Sequence, residues 1–316
     1  MILSRRGGVV LTGNTSKDFI THENQTFLLS SLNDGFMSSK GGNSNVFKLY
    51  DPNNNTTFAI KISNFPVARR VRGQANDWKS RGYARFLEEI NALNIAKQNN
   101  YNNIVRIEFD GLIEVEGEKF PYFVMEKADT DLKEYIQSNT EFDEQERFKI
   151  CLEVMFAVKQ LHGKEIYHRD IKPDNILLFN TGEEGKSVWK ISDLGLIGRG
   201  GTRASVDQIG EKIGPFGWLS PEAANKFLTE KLNLGFDCKI DNESDIFQLG
   251  KLFWFVYQSN IPVGQIYSED FIAPITKNKE FIFSIIRKML SYSKLDRKKI
   301  SSLEEDMELL GYDLGV

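Results

Sequence analysis

The stretch His168-Arg169-Asp170-Ile171-Lys172-Pro173-Asp174-Asn175 sets a carboxylate, an ammonium group and a carboxamide within six positions. Together they suit one kind of chemistry. Asp170 can accept a hydroxyl proton, Lys172 can offset charge on a phosphate in transit, and the Asn175 amide oxygen can bind a metal ion. Upstream, Asp143 and Glu146 are spaced as a capping box ahead of Phe148, Leu152, Met155 and Val158, which predicts a helix stopping near Gly163. Downstream, Ile176–Phe179 and Val188–Ile191 read as a hairpin around Thr181–Lys186.

The half before residue 127 has a different rhythm. Phe58, Ile60 and Ile62 alternate with Ala59 and Lys61, the pattern of a strand with two distinct faces. Val46–Leu49 forms a second short strand, joined to the first through the turn cluster Asp51–Asn55. Tyr83–Gln98 has helical spacing, with Phe86, Leu87, Ile90 and Leu93 expected on one apolar stripe. Ile104–Ile107, Leu112–Val115 and Tyr122–Met125 read as further strands. The change from strands to helices falls near Glu126–Thr130, predicting two portions, 1–127 and 128–316.

HRDIKPDN resembles the catalytic loop of the eukaryotic-type (Hanks-type) serine/threonine protein kinases. Further motifs of that family follow in order. Phe58-Ala59-Ile60-Lys61 resembles the strand bearing the lysine for the α- and β-phosphates, although a strand lysine is ordinarily just solvated. Glu89-Ile90-Asn91-Ala92-Leu93 matches the helix that carries its glutamate partner, which selects Glu89; Glu88, about 100° round the helix, is expected to be solvated. Asp193-Leu194-Gly195 resembles Asp-Phe-Gly. It would be a common turn if it did not follow the predicted strand Val188–Ile191. Ser220-Pro221-Glu222 resembles Ala-Pro-Glu, and Asp245–Gly250 resembles the start of a buried central helix. Arg297 falls where the family pairs an arginine with that glutamate.

The resemblance covers about residues 27–310 and implies an α+β, bilobal protein-kinase-like fold. The N-terminal lobe would be β-rich with one main helix, and the C-terminal lobe α-rich. It also implies the cofactors ATP and Mg²⁺. Asp170 would take the substrate proton, Lys172 would steady the γ-phosphate, and Asn175 and Asp193 would hold Mg²⁺. Lys61, fixed by Glu89, would position the α- and β-phosphates. Val46, Ala59 and the backbone of Glu126–Ala128 would border adenine, with Met125 as gatekeeper. Lys172 matches the serine/threonine-type loop, so the implied acceptor is a protein Ser or Thr hydroxyl.

The sequence departs from the family pattern at three places. Aligned on Val46, the glycine-rich loop falls on Ser39, Gly41 and Ser44, with Gly42 as a second glycine where backbone N–H groups can approach phosphates. Lys61 and Glu89 lie 28 positions apart across a basic insert: Arg69, Arg70, Arg72, Lys79, Arg81 and Arg85 against the single acid Asp77. That 69–85 segment reads as a solvated basic face or as a dock for an acidic or phosphorylated partner. Pro215 stands in Gly214–Trp218 where the family has a threonine. The activation segment Asp193–Glu222 offers Thr202 and Ser205 as phosphosites, and Arg169 has the family role of pairing with such a phosphate.

Bulk properties restrict the alternatives. The 316 residues are 41% hydrophobic and 27% charged, with a net charge of −4, which gives no electrostatic reason to expect nucleic acid or an anionic membrane. No apolar run approaches the roughly 18 residues a membrane helix needs. The start MILSRRGGVV lacks the apolar stretch of a signal peptide. Two cysteines, with Cys151 in an apolar helical pattern, suit a reducing cytoplasmic setting, and with three histidines they make no zinc site. A pseudokinase scaffold is the second reading, motivated by Ser39, Ser44 and Pro215, but every charged catalytic position is present. A small-molecule kinase would need neither Lys172 nor a Glu222–Arg297 pair.

Overall fold

The Phe58–Ile62 alternation lies within an eight-residue strand, Thr56–Ser63, at the middle of a sheet in the computed structural model. The structure describes all residues except 6, 15, 33–42, 68–77, 140–142, 183–185, 201–205 and 273–277. Ser39, Gly41, Gly42, Arg69, Arg70, Arg72, Asp77, Thr202 and Ser205 therefore lie outside the described residues. The chain divides into two compact units, one of Met1–Asn100 with Val105–Ala128, the other of Tyr101–Ile104 with Asp129–Val316.

The first unit holds β1 (Ile2–Leu3), β2 (Val9–Val10), β3 (Phe19–His22), β4 (Gln25–Ser30), β5 (Ser44–Asp51), β6 (Thr56–Ser63), α1 (Trp78–Gln98), β7 (Ile107–Val115) and β8 (Glu118–Glu126). Six of these strands form one sheet in the order β3-β4-β5-β6-β8-β7. Period-2 alternation sends Phe47, Leu49, Ile60, Ile62, Phe120, Tyr122 and Val124 into one core, with Val9, Ile20, Phe27 and Leu29 added from the N-terminal strands. The opposite face of β6 carries Ala59 and Lys61, and α1 packs on the sheet with Phe86 and Phe123 ring centroids 5.4 Å apart.

Three expectations are corrected, two in this unit and one in Tyr101–Ile104, which belongs to the other. Leu87 is 41% exposed, because the buried arc of α1 runs through Phe86, Glu89, Ile90 and Leu93 and residue 87 lies on its far side. Glu88 is half-buried and engaged, not solvated. Ile104–Ile107 is not a strand. Ile104 makes a single bridge to Ile191, the Ile191 N–H donates to the Asn103 carbonyl at 2.9 Å, and β7 begins only at Ile107 and absorbs Leu112–Val115.

The second unit holds β9 (Thr130–Asp131), α2 (Leu132–Ser138), α3 (Glu144–His162), β10 (Ile166–Tyr167), β11 (Ile176–Asn180), β12 (Ser187–Ile191), β13 (Gly198–Arg199), α4 (Pro221–Thr229), α5 (Asn242–Gln258), α6 (Lys279–Met289) and α7 (Ile300–Leu314). Asp143 caps α3 by accepting the Glu146 N–H at 2.8 Å, while the Glu146 carboxylate accepts the Trp189 indole N–H at 3.0 Å; the expected box is thus half formed. α3 ends at Gly163, as its sequence predicts. The β11–β12 hairpin forms with Ile176 opposite Ile191. α5 is buried along nearly its whole length, from Ser244 to Tyr257, and forms the centre of the unit.

Candidate functional site

In the first unit, Lys61 projects from β6 and meets Glu89 of α1, Nζ to Oε1 2.7 Å, with both side chains almost wholly buried. Lysine and glutamate are rarely buried unless paired, so this pair marks a position where charge is held away from water. Val46 lies opposite Lys61 in the β5–β6 register, and Ala59 opposite Met125 in the β6–β8 register. Four expected adenine neighbours are therefore arranged on adjacent strands: Val46, Ala59, Met125 and Glu126, the last opposite Phe58. Glu126 is fixed twice: its N–H donates to the Arg106 carbonyl at 3.1 Å and its carboxylate accepts the Arg106 N–H at 2.7 Å. Ala128 is half-buried, and its carbonyl accepts from Lys127 at 3.0 Å. Lys79, Arg81 and Arg85, from the basic segment, lie on α1, and each makes an interaction.

In the second unit the catalytic-loop residues converge on one carboxylate. Asp170 Oδ2 accepts from Lys172 Nζ at 2.7 Å and from Asn175 Nδ2 at 3.0 Å, while Asn175 Nδ2 also reaches the Asp170 carbonyl at 2.8 Å. Asp170 Oδ1 is buried and has no hydrogen-bond partner among the described residues. Burial raises the Asp170 pKa above its ordinary carboxylate value, with Lys172 pulling it back down and Asp193 adding to the rise. Asp193 is exposed, with a left-handed φ of 58°, and the next residue, Leu194, is completely buried. The leucine thus anchors the turn while the carboxylate faces outward.

The loop is held from beneath by α5. The buried Asp245 carboxylate accepts the N–H groups of His168 and Arg169, both at 2.7 Å, and meets His162 Nε2 at 2.9 Å. These bonds hold Arg169 at φ 65°, a conformation that costs a non-glycine residue about 1 kcal/mol or more. His168 is fixed as one tautomer. Its Nδ1 accepts the Asp170 N–H at 3.2 Å, so its Nε2–H donates to the Ser192 carbonyl at 3.0 Å, next to Asp193. The expected Glu222–Arg297 pair is present and buried, Oε1 to Nη2 2.8 Å.

Sequence reading missed two residues. Gln248, inside the central-helix motif, hydrogen-bonds the catalytic loop. Asp207 pairs with Arg169. Neither lies in a local pattern that signals its partner.

A buried lysine–glutamate pair on a β-rich unit and a carboxylate–lysine–asparagine loop on a helical unit are the parts of a kinase-like α+β protein. The sequence matches the protein kinase domain model over residues 39–310. The chain belongs to the protein kinase domain family. It is 31% identical over 180 residues to the probable serine/threonine-protein kinase PknB of Lactococcus lactis, covering 57% of this chain and 25% of that protein. It is 30% identical over 223 residues to the serine/threonine-protein kinase PrkC of Bacillus subtilis, covering 70% of this chain and 29% of that protein. The match to the serine/threonine-protein kinase cds1 of Schizosaccharomyces pombe is 28% over 177 residues, covering 55% and 36%. The chain thus spans between a quarter and about a third of the length of these curated relatives.

Proposed function

We propose that the chain is a protein serine/threonine kinase that transfers the γ-phosphate of Mg-ATP to a Ser or Thr hydroxyl, its own Thr202 or Ser205 among the acceptors. The observation that carries this is the asymmetry of Asp170. One oxygen is engaged by Lys172 and Asn175, and the other, buried and unpartnered, is left for the proton of an acceptor hydroxyl. The acceptor oxygen forms its bond to γ-phosphorus as the bond to the β-bridging oxygen breaks. Asp170 takes the hydroxyl proton, and ADP leaves. Lys172, partly exposed beside Asp170, would steady the γ-phosphate. Lys61, held by Glu89, would position the α- and β-phosphates.

The donor set fits a hard divalent cation. Asp193 offers an exposed carboxylate, and Asn175, its nitrogen given to Asp170, offers its amide oxygen. Among the described residues no three His, Cys, Asp or Glu cluster into a metal site, which suits Mg²⁺, whose shell is completed by phosphate and water. When bound, that ion neutralises charge on the phosphates.

We read residues 1–127 as the nucleotide-binding portion and 128–316 as the catalytic portion of a cytoplasmic enzyme, with the basic 69–85 segment docking an acidic or phosphorylated partner. Among the described residues no helix is long and apolar enough to cross a membrane. The direct test is Mg-ATP with a generic protein substrate, comparing wild type with Asp170→Asn and Asp193→Asn. Phosphoprotein from the wild type alone is the expected result; none from any of the three would refute the assignment. Reversing Arg69, Arg70 and Arg72 to glutamate tests the docking segment; unchanged turnover and substrate affinity would remove it.

A further inference from the structure

Gln248 lies inside α5 and is 2% exposed. Its amide makes three hydrogen bonds. Nε2 donates to the Arg169 carbonyl and to the Trp218 carbonyl, and Oε1 accepts the Ile171 N–H, each at 3.1 Å. The amide orientation is forced, since a flipped group would set its oxygen against two carbonyl oxygens and its nitrogen against an N–H. The Arg169 carbonyl belongs to the peptide entering Asp170, and the Ile171 N–H to the peptide leaving it. One side chain therefore grips the backbone on both sides of the proposed base.

Its third bond leads to the end of the activation segment. Gly214 has a φ of +93°, and a Cβ there would stand 3.3 Å from the Arg169 carbonyl and 3.7 Å from Gln248 Nε2. The segment thus crosses the catalytic loop at the point Gln248 holds. Pro215 follows with neither a hydroxyl nor an N–H to donate. Nearby, Lys251, one helical turn on from Gln248, donates to the Gly217 and Pro262 carbonyls, both at 3.0 Å.

We propose that Gln248 is the positioning residue for Asp170. It fixes the carboxylate's backbone from the central helix and couples it to Trp218, a link that Pro215 cannot make by side chain. The role rests on Asp170 serving as the base. Gln248→Met keeps the volume without the hydrogen bonds. Gln248→Glu keeps the shape and the acceptor for Ile171 but turns an oxygen toward the two carbonyls.

The test uses the full chain in steady-state protein phosphorylation, with amide hydrogen exchange at Ile171. In both variants kcat is expected to fall by about tenfold or more while the KM for ATP stays within about threefold. A merely structural role would raise the KM for ATP together with the fall in kcat. Ile171 protection is expected to fall by about tenfold in Gln248→Met. If only the glutamate variant folds, its kcat and ATP KM decide. Wild-type kcat in a folded variant, or undiminished Ile171 protection in Gln248→Met, overturns the proposal. A wild type that transfers no phosphate overturns the kinase assignment, and Ile171 exchange then still reports whether the clamp exists.

Discussion

The Arg169 guanidinium is closed on the Asp207 carboxylate, with Nη1 2.5 Å from Oδ2 and Nη2 3.1 Å from Oδ1. Its Nε and Nη2 also donate to the Leu196 and Ile197 carbonyls at 2.6 and 2.9 Å. Both partners are almost fully buried. Family resemblance gives this arginine to an activating phosphate. Here a carboxylate of the activation segment itself takes the bidentate face. A phosphate brought to the same place would meet a charge of its own sign.

Turnover should therefore depend on Asp207 more than on phosphorylation. Asp207→Ala is expected to lower kcat by about tenfold or more, since it leaves a buried guanidinium short of its carboxylate. Thr202→Ala with Ser205→Ala, or phosphatase treatment, is expected to leave kcat within about twofold. Phosphatase-treated protein that loses its activity would contradict this.

Lys61→Met leaves Glu89 buried beside an apolar side chain. Removing one partner of a buried pair costs about 3–5 kcal/mol, so a large fall in denaturation midpoint is expected alongside loss of transfer. The double change Lys61→Met with Glu89→Leu should recover stability but not activity. Urea unfolding and the transfer assay, run on the same preparations, separate the two effects.

Asp170 should trade stability for chemistry. Burial lifts its pKa above the ordinary 3.8, so the folded chain binds that proton more tightly than the unfolded chain. Its stabilising contribution is full below the unfolded value and is lost as pH rises through the folded value. Asp170→Asn is expected to melt higher than wild type at neutral pH, with the gap narrowing as pH falls into the carboxylate range. Thermal scans across that range give the answer; a variant that melts lower at neutral pH would count against it.

The Glu222–Arg297 pair joins α4 to the C-terminal part of the chain. Ser244 Oγ donates to Glu222 Oε2 at 3.0 Å, and Arg297 also binds the carbonyls of Glu243, Ser291 and Tyr292 at 2.8–3.0 Å. Arg297→Ala is expected to cost about 3–5 kcal/mol, because it strands a buried carboxylate. Denaturant titration monitored by tryptophan fluorescence measures it.

Legibility in the sequence followed the distance between partners. Asp170, Lys172 and Asn175 are neighbours in the chain, and their geometry is local. The β5–β6 pair was readable because alternation and a turn cluster sit together. The N-terminal strands were not. β1 and β2 are two residues each, and Val9, though completely buried, stands beside Gly7 and Gly8 in a stretch with no period. Leu87 shows the limit of an apolar stripe when a buried charge, Glu89, takes one of its positions. Asp207 and Gln248 act across 38 and 79 residues, and no spacing rule reaches that far.

That reach bears on how the chain acquires its working shape. His168 and Arg169 are tied to Asp245 across 77 and 76 residues. During synthesis from the N-terminus, the loop leaves the ribosome well before the helix that holds it. Its left-handed Arg169 lacks the Asp245 acceptor for its backbone N–H until α5 arrives. The central helix is thus a late-arriving template, and the capacity for chemistry appears only when that part of the chain has folded back on what was made earlier.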